Sequence, residues 1–372
     1  MKFNIVSYAF LGKTKTFDVK EDFVGGEEIY LYDLAKLLIK NGHDVTVIQA
    51  SDRNSTLVYQ GIKIKTFNLK KKYAFNFLWK KHIEKDADRI HLHDFESAFP
   101  LADSNMTGTC HGVTWDYSEP SLYWAAHNIY HKFMAKEAIK LLGKIASVDS
   151  SLLKFAKKSM HSYQNKIKII HSYAKTDVFK PDIRDDKTSK LKGRRVILFP
   201  RNLTKVRGVF LILEAMKTIA RKIPDSILMM TGTGPLKSEV ENFIASNKLK
   251  DNVILVGHKN HLTEMPKLYT AADVVVIPSL GREGCSLSCL EAMATKKPVV
   301  VTNVGGLGDI VANGINGISV EPNAQLLANS IIQLLEDRKE SNRIAKNGYK
   351  NAKGNFNYEL WCKRYLEFFG LK

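Results

Sequence analysis

Five apolar, β-prone runs recur at short intervals in the second half of the chain, and helix-like segments separate them. The runs are RRVILFP, SILMMTG, NVILVG, ADVVVIPS and KPVVVTN. Apolar residues fill these runs almost throughout instead of alternating with polar ones, as in strands of a parallel sheet that is covered on both faces. The alternation of such strands with helices predicts a doubly wound α/β domain.

The first half of the chain repeats this pattern less regularly. A β-like opening, a helix-like stretch from Glu27 to Lys40 and the strand-like DVTVIQAS form a β–α–β unit. Further strand candidates are GIKIKTFNL, DRIHLHD, GTCHGV, KIASVDS and KIKIIHS. A polar, charged stretch from Asp177 to Gly193 suits a connection between domains. With 372 residues, the chain is long enough for two doubly wound parallel-sheet domains, each with its own core.

The charge balance predicts an anionic partner. Lysine and arginine number 56 against 38 acidic residues, which leaves a net charge of +18. A nucleotide, a membrane surface with acidic lipids and nucleic acid all fit, and net charge does not choose among them. The opening MKFNIVSYAF is interrupted too early for a signal peptide, and no run approaches the roughly 18 apolar residues of a membrane span. We therefore expect a cytoplasmic protein.

Lysines and aromatic residues interleave in LKKKYAFNFLWKKHIEK, residues 69–85. One interpretation is a segment that lies on an anionic membrane, where each basic residue contributes about 1 kcal/mol. The residues that would contact the surface are Lys70, Lys71, Lys72, Phe77, Trp79, Lys80 and Lys81. The alternative is a basic amphipathic helix whose aromatic residues face the core.

Two glycine-containing loops have the composition of phosphate-binding segments. In VGGEE, Gly25 and Gly26 precede a helix, where free amide groups suit a diphosphate, although such pairs also simply begin helices. Gly232 lies in TGTGP, a loop that follows a strand. Its glycines could let the backbone run close to a bound nucleotide, or the loop could be a plain turn.

A cationic loop, PRNLTKVRG, follows the strand RRVILF and contains Arg201, Lys205 and Arg207. Cations at the carboxyl end of a strand could neutralise the charge that grows on a departing diphosphate. A solvated basic loop is the alternative interpretation.

The most specific stretch is GREGCSLSCLEAMA, in which a tight loop separates a strand from a helix. Glu283 in the loop is placed to accept hydrogen bonds from sugar hydroxyls, and Glu291 in the helix to bind a ribose diol. The amides around Gly284 to Leu287 could bind phosphate at the helix start. A pair of catalytic carboxylates, as in glycoside hydrolysis, is the rival interpretation, but it requires no phosphate-binding loop between the acids.

In this combination the chain resembles the glycosyltransferases of family 4, also called group 1. The stretch from about residue 196 to 322 is similar to the family's signature of two glutamates separated by seven residues, with the helix and glycine turns that follow. VGGEE resembles the family's Gly-Gly-x-Glu loop, and GTCHG, residues 108–112, its Thr-x-His-Gly segment. HSYAKTDVFKP, residues 171–181, occupies the place of another family element.

The resemblance implies the GT-B fold, in which two Rossmann-like domains face a central cleft. The expected organisation is an acceptor-binding domain over residues 1–180, a nucleotide-sugar-binding domain over 181–355, and a helix over 356–372 that crosses back to the first domain. The implied catalytic residues are His111, beside the reacting sugar, and Glu283. The implied donor-binding residues are Gly25, Gly26, Arg201, Lys205, Arg207, Gly232, Gly284, Cys285, Ser286, Leu287 and Glu291. Arg207 replaces the family's usual lysine, and Cys285-Ser286 its usual Phe-Gly.

The implied activity is metal-independent transfer, with retention, of a hexose or N-acetylhexosamine from a UDP- or GDP-sugar. The acceptor hydroxyl would belong to a glycan, a lipid-linked sugar or another molecule. No cofactor is expected beyond the nucleoside diphosphate sugar, which is a co-substrate. One alternative is a sugar-nucleotide epimerase of the same two-domain build. The other, a basic nucleic-acid-binding protein, ranks last because the chain lacks a compact recognition motif.

Overall fold

Two sheets flanked by helices form the protein, in a computed structural model that describes residues 1–11, 26–69, 74–181 and 193–371. The chain divides into two units, Met1–His171 with Cys362–Lys372, and Ser172–Trp361. The boundary between them falls at 171/172, against a predicted position of 180/181.

The described strands of the first unit form one sheet. They are β1 (Lys2–Ser7), β2 (Asp44–Ser51), β3 (Ser55–Tyr59), β4 (Ile62–Asn68), β5 (Arg89–Leu92), β6 (Thr107–Cys110), β7 (Lys144–Ser147) and β8 (Ile167–Ile169). Their order across the sheet is β3-β4-β2-β1-β5-β6-β7-β8, and every pair except β3 with β4 is parallel. β1 lies between β2 and β5, so the chain leaves it first towards one edge and later towards the other.

The helices of the first unit are α1 (Gly26–Lys40), α2 (Phe75–Leu78), α3 (Leu122–Leu141) and α4 (Ser151–Ser159). The last helix of the chain, α12 (Tyr358–Phe369), belongs to this unit from Cys362 onwards. Within the unit, the hydroxyl of Tyr365 lies 3.1 Å from that of Tyr30 and 3.0 Å from Oγ1 of Thr109. These buried contacts connect α12 to α1 and to the end of β6.

The second unit alternates strands and helices. Its strands are β9 (Arg195–Phe199), β10 (Ser226–Thr231), β11 (Val253–Gly257), β12 (Val274–Ile277), β13 (Val299–Thr302) and β14 (Ile318–Val320). Its helices are α5 (Val209–Lys222), α6 (Lys237–Ser246), α7 (Met265–Ala271), α8 (Leu287–Ala294), α9 (Leu307–Ile310), α10 (Ala324–Glu336) and α11 (Arg338–Asn355).

The second sheet has the strand order β11-β10-β9-β12-β13-β14, with every pair parallel. Numbered along this unit, the order is third, second, first, fourth, fifth, sixth, which is the Rossmann arrangement. Leu198 of β9 pairs with Met229 of β10 on one side and Val275 of β12 on the other. The sheet therefore has its topological switch point between β9 and β12.

Helical periodicity explains how the second sheet is covered. On α5, Val209, Ile212, Met216 and Ile219 recur at intervals of three or four and are buried. They join a core that includes Ile197 of β9. Because the same core takes apolar residues from α10, this face of the sheet is closed by α5 and α10 together.

The doubly wound α/β architecture predicted for both halves is confirmed, and each strand candidate corresponds to a strand. β3 and β14 were not predicted. β3 forms an antiparallel hairpin with β4 through Gln60 and Gly61, whose φ angles of 50° and 84° suit a two-residue turn. The alternation in STLVYQGIKIKT carries that signal, whereas the three-residue β14 is too short to show a period.

Candidate functional site

Polar side chains collect at the carboxyl ends of β9 and β12, the two strands at the switch point. Arg201 follows β9 by two residues, and Glu283 lies in the loop between β12 and α8. Neighbouring loops diverge at such a point and leave a crevice, where ligands of open α/β sheets bind. The sequence-predicted arginines and the loop glutamate are thus brought to one edge of the second sheet.

Glu283 is the centre of this cluster. Only 4% of its surface is exposed. Arg201 through Nη2 and Arg207 through Nη1 both donate hydrogen bonds to its Oε2. The hydroxyl of Ser279 donates to the same oxygen at 2.8 Å, and Nη1 of Arg201 donates to Oγ of Ser286 at 3.3 Å. One buried carboxylate therefore orients two guanidinium groups.

The cluster keeps a net positive charge. Burial acts to raise the pKa of Glu283, but the charges of Arg201 and Arg207 outweigh it and lower that pKa below its usual value. Burial lowers the pKa of Arg201, yet an arginine stays protonated at neutral pH. Two cations and one anion leave one positive charge, so the cluster attracts an anion.

Backbone contacts hold the β9 and β12 loops together. The amide of Leu280 donates to the carbonyl of Val206 at 2.8 Å. Gly208 has a φ of 75°, and a Cβ built there would lie 1.7 Å from the carbonyl oxygen of Pro278. Only glycine fits this position, because it tolerates the left-handed conformation and leaves room for the neighbouring carbonyl.

The start of α8 lies beside the cluster. Its first helical hydrogen bonds run from the amides of Cys289 and Leu290 to the carbonyl of Ser286, each 3.2 Å long. The amide groups that precede them, including that of Leu287, have no acceptor within the helix and carry partial positive charge. The side chains of Cys285 and Ser286 are buried.

Glu291, on α8, lies in a second cluster. Its side chain is buried, with Nε2 of His261 at 2.6 Å from Oε1 and the hydroxyl of Tyr269 donating to Oε2 at 2.8 Å. The ring of Phe179 lies 5.2 Å from that of His261 and 5.8 Å from that of Tyr269. Burial, followed by the charge of Glu291, raises the pKa of Tyr269, so its hydroxyl remains a donor.

The other predicted residues of the second unit have simpler surroundings. Gly232 has a φ of 84°, and a Cβ there would lie 2.8 Å from the carbonyl oxygen of Arg201. The β10 loop can therefore approach the backbone of the β9 loop closely. Lys205 is exposed in a short 3-10 turn, and Gly284 is half-buried.

In the first unit, His111 follows β6. Its ring lies 4.3 Å from that of His93 and 5.0 Å from that of Tyr30. Its Nε2 is buried and has no hydrogen-bond partner among the described residues. Burial, followed by the charge of His91, lowers the pKa of His111 to about 3, so the imidazole is neutral at physiological pH. Gly26 is the exposed first residue of α1, whereas Gly25 lies outside the described residues.

Family models match most of the chain in two adjoining parts. The model described as glycosyltransferase family 4 matches residues 24–173, and that described as glycosyl transferases group 1 matches residues 181–351. The chain belongs to the group 1 glycosyltransferases.

Known relatives agree with this assignment. The glycosyltransferase is 27% identical to an uncharacterized glycosyltransferase of Methanocaldococcus jannaschii, over 94% of this chain and 95% of the relative. It is 26% identical to the UDP-Gal:alpha-D-GlcNAc-diphosphoundecaprenol alpha-1,3-galactosyltransferase of Escherichia coli, over 67% of this chain and 64% of the relative.

Among solved structures, sucrose-phosphate synthase from Thermosynechococcus elongatus is similar with a TM-score of 0.82 and 20% identity. The similarity covers 99% of this chain and 98% of that one. The GT-B fold predicted for this glycosyltransferase is thereby confirmed.

One predicted surface of the glycosyltransferase requires correction. Trp79 is fully buried, and its indole N–H donates to the carbonyl of Ser97 at 2.9 Å, so it is not available to a membrane. Phe77 and Lys81 are exposed, and Nζ of Lys80 donates to the carbonyl of Leu101 at 2.8 Å. Lys70, Lys71 and Lys72 lie outside the described residues. Trp79 was misassigned because the spacing of the aromatic residues fits either a core face or an interfacial face, whereas Phe77 is exposed as predicted.

Four residues of these clusters were not predicted from the sequence: Ser279, His261, Tyr269 and His93. Ser279, His261 and His93 each follow the carboxyl end of a strand, namely β12, β11 and β5. Their position after strand ends is the sequence signal that marks them as candidates. Tyr269 lies inside α7, and no sequence signal points from it to Glu291.

Two features are absent from the described residues. Within that part of the glycosyltransferase, no three His, Cys, Asp or Glu side chains are grouped so that they could hold a metal ion. The helices of the same part include none that combines the length and apolarity needed to span a bilayer.

Proposed function

We propose that this glycosyltransferase moves a hexose or N-acetylhexosamine from a UDP- or GDP-sugar to an acceptor hydroxyl, with retention at the anomeric carbon. The observation that carries the proposal is the convergence of Arg201 and Arg207 on Glu283 at the switch point of the second sheet. A positively charged crevice beside a helix start suits a diphosphate with a sugar attached.

The two arginines bind the donor diphosphate in this proposal. As the bond between the anomeric carbon and the diphosphate breaks, negative charge grows on the leaving phosphate, and guanidinium groups already in place stabilise it. The amides of Cys285 to Leu287 add donors from the start of α8, and Lys205 adds a further charge at the rim. These groups supply the positive charge that transfer requires, and we propose that no divalent metal takes part.

Glu283 binds the transferred sugar. Arg207 is the more exposed of its two arginine partners, with a side-chain exposure of 32% against 10% for Arg201. Oxygens of the donor phosphates compete first with Glu283 for the hydrogen bonds of Arg207. The carboxylate of Glu283 can then accept a hydrogen bond from a sugar hydroxyl in place of the one from Arg207. Arg201 keeps Glu283 ionised and oriented during this exchange.

Glu291 and His111 complete the proposed set. Glu291 binds the ribose diol and shares its carboxylate with His261. His111, with a neutral ring and Nε2 lacking a partner among the described residues, provides a hydrogen bond to the transferred sugar. The acceptor oxygen attacks from the face that the diphosphate leaves, and its proton passes to a leaving phosphate oxygen, as the family resemblance implies.

The Escherichia coli relative guides the choice of substrates. Its name specifies UDP-galactose as donor and a sugar on diphosphoundecaprenol as acceptor. We therefore propose a UDP-sugar as the first donor to test and a lipid-linked sugar as the first acceptor. Such an acceptor is consistent with an enzyme that acts at the cytoplasmic face of a membrane.

Thermal-shift screening against UDP-, GDP- and ADP-sugars tests the donor, because a ligand that binds only the folded state raises the melting temperature. A shift with one base class, absent in Arg207→Ala and kept in the exposed control Arg221→Ala, supports the proposal. If no nucleotide sugar shifts the melting temperature, the proposal fails.

Three further measurements test the reaction type, the metal independence and the stereochemistry. Incubation with donor alone distinguishes a transferase, which hydrolyses the donor slowly, from an epimerase, which isomerises it rapidly. Transfer that survives a chelator supports metal independence, whereas loss of transfer that added magnesium or manganese restores contradicts it. The anomeric configuration of the product decides retention.

A further inference from the structure

Helix α3 exposes an apolar stripe. Leu122, Ile129 and Phe133 are 91%, 70% and 48% exposed, and Tyr123 and Tyr130 flank them, also exposed. Intervals of seven and four residues place Leu122, Ile129 and Phe133 on one side of the helix. Single exposed apolar residues are ordinary, but a contiguous stripe indicates an interaction surface.

The burial pattern shows that this stripe is separate from the core face. The residues of α3 that are buried are Met134, Ala135, Ala138 and Ile139, all in its second half. The first half thus presents large apolar side chains outward. In α11, by contrast, the exposed positions hold lysine, arginine, asparagine and one glycine. The solvated face of α11 therefore carries no large apolar side chain, whereas the solvated face of α3 carries several.

Basic residues border the stripe. Lys132, Lys136 and Lys140 are exposed along the same helix, and the one acidic residue of α3, Glu137, pairs with Lys140 at 2.6 Å. A surface with apolar residues in line, tyrosines at the flank and lysines at one end complements a bilayer with anionic headgroups. The tyrosines suit the headgroup layer, where one end of the ring is apolar and the other is wet.

We propose that α3 docks this protein on a membrane that carries anionic lipids, with Leu122, Ile129 and Phe133 entering the headgroup boundary and the lysines contacting phosphates. This surface takes the place of the predicted one around Trp79, which is buried. The proposal does not depend on the donor chemistry.

Co-sedimentation of the full chain with vesicles tests the proposal. One set contains phosphatidylcholine alone and the other phosphatidylcholine with phosphatidylglycerol. We expect binding to the second set that weakens at high ionic strength. The double variant Leu122→Ser with Ile129→Ser should lose at least about tenfold in affinity, since a tenfold loss is about 1.4 kcal/mol, which is less than the full burial of one large apolar side chain contributes. Lys132→Gln with Lys136→Gln should reduce binding to the anionic vesicles.

The matched control is Leu326→Ser, which removes an exposed leucine (45%) from α10 of the second unit. It should bind vesicles like the unchanged protein. Donor hydrolysis by the α3 variants should stay unchanged, which separates a failure of docking from a failure of the proposed chemistry. The proposal is overturned if the unchanged protein does not bind anionic vesicles, or if the α3 variants bind them equally well. It is also overturned if the stripe mediates a dimer that the double variant dissociates without loss of vesicle binding.

Discussion

Arg201 donates a hydrogen bond to the carboxylate of Glu283 across 82 positions of the chain. The two residues meet because β9 and β12 are neighbours in the sheet, although two complete strand–helix units separate them in sequence. The same carboxylate oxygen accepts from Arg207 and Ser279. This arrangement explains why one acidic residue can control both the position of two cations and the charge of the crevice.

Glu283→Gln should separate sugar transfer from nucleotide binding. Loss of the acid changes the net charge of the arginine pair and residue 283 from +1 to +2, so affinity for UDP should be unchanged or higher. Transfer should fall by at least about 100-fold, the scale of a lost oriented electrostatic contact. Because Arg201 is buried, the free energy of unfolding should fall by roughly 3–5 kcal/mol. Calorimetric titration with UDP and a transfer assay check both effects, and the exposed Glu241→Gln is the control. Weaker UDP binding in Glu283→Gln would contradict the assignment.

Arg207→Ala and Arg201→Ala should differ in stability, although we propose that both arginines bind the donor diphosphate. Arg207 has a side-chain exposure of 32%, so its loss should change the free energy of unfolding by about 1 kcal/mol or less. Arg201 is 10% exposed and also contacts Ser286. Its replacement should therefore lower the free energy of unfolding several times more than that of Arg207. Urea denaturation measures both values. Equal decreases in the free energy of unfolding would contradict the difference that we expect from burial.

His261 should act as a positioning residue for Glu291. His261→Ala should raise the KM for the donor about tenfold or more and change kcat little, since a hydrogen bond to a charged group is worth about 1.5–3 kcal/mol. His261→Gln, which keeps a donor group, should restore part of the affinity. His258→Gln, at an exposed position three residues before it, is the control. An effect confined to kcat would argue against this role.

Gly208→Ala should destabilise the second unit more than Gly257→Ala. The two glycines have nearly the same φ, 75° and 76°, so alanine meets the same backbone cost of about 1–2 kcal/mol at either. At Gly208 the added Cβ also meets the carbonyl of Pro278, whereas at Gly257 nothing lies within 4 Å. This clash should add roughly 1–3 kcal/mol to the loss of stability of Gly208→Ala. Thermal unfolding of the two variants gives the difference, and identical melting temperatures would rule out the close approach.

Acid should destabilise the first unit through its buried histidines. Burial, followed by the charge of His93, lowers the pKa of His91 to about 3, against 6.5 when unfolded. The unfolded state therefore binds the proton first as pH falls below 6.5, and stability decreases by about 1.4 kcal/mol per pH unit for this group until pH 3 is approached. His91→Gln should show a shallower loss of stability between pH 6.5 and 5. Urea titrations over that range measure it, and parallel slopes would contradict the shifted pKa.

Local patterning accounts for the elements that the sequence predicted. Continuous apolar runs such as VVVI of β12, and the three- and four-residue spacing of α5, depend only on neighbouring residues. The same applies to Glu283 and Arg201 as site candidates, because both follow strands. β3 shows where a local signal was present and missed, since its Gln60-Gly61 turn lies within the alternating pattern.

What the amino-acid order determined by itself was therefore the two doubly wound domains, the loops that carry polar groups and the family. The tertiary structure decided which of those groups share a site. Glu291 meets His261 and Tyr269, Trp79 turns into the core, and the first half of α3 stays uncovered. None of these relationships has a sequence period, because each depends on which strand lies beside which and on how much apolar surface remains after the core is filled. The two glutamates of GREGCSLSCLEAMA are close in sequence and yet have different partners. The order of the strands brings Glu283 to Arg201, and the position of Glu291 on α8 brings it to His261 and Tyr269.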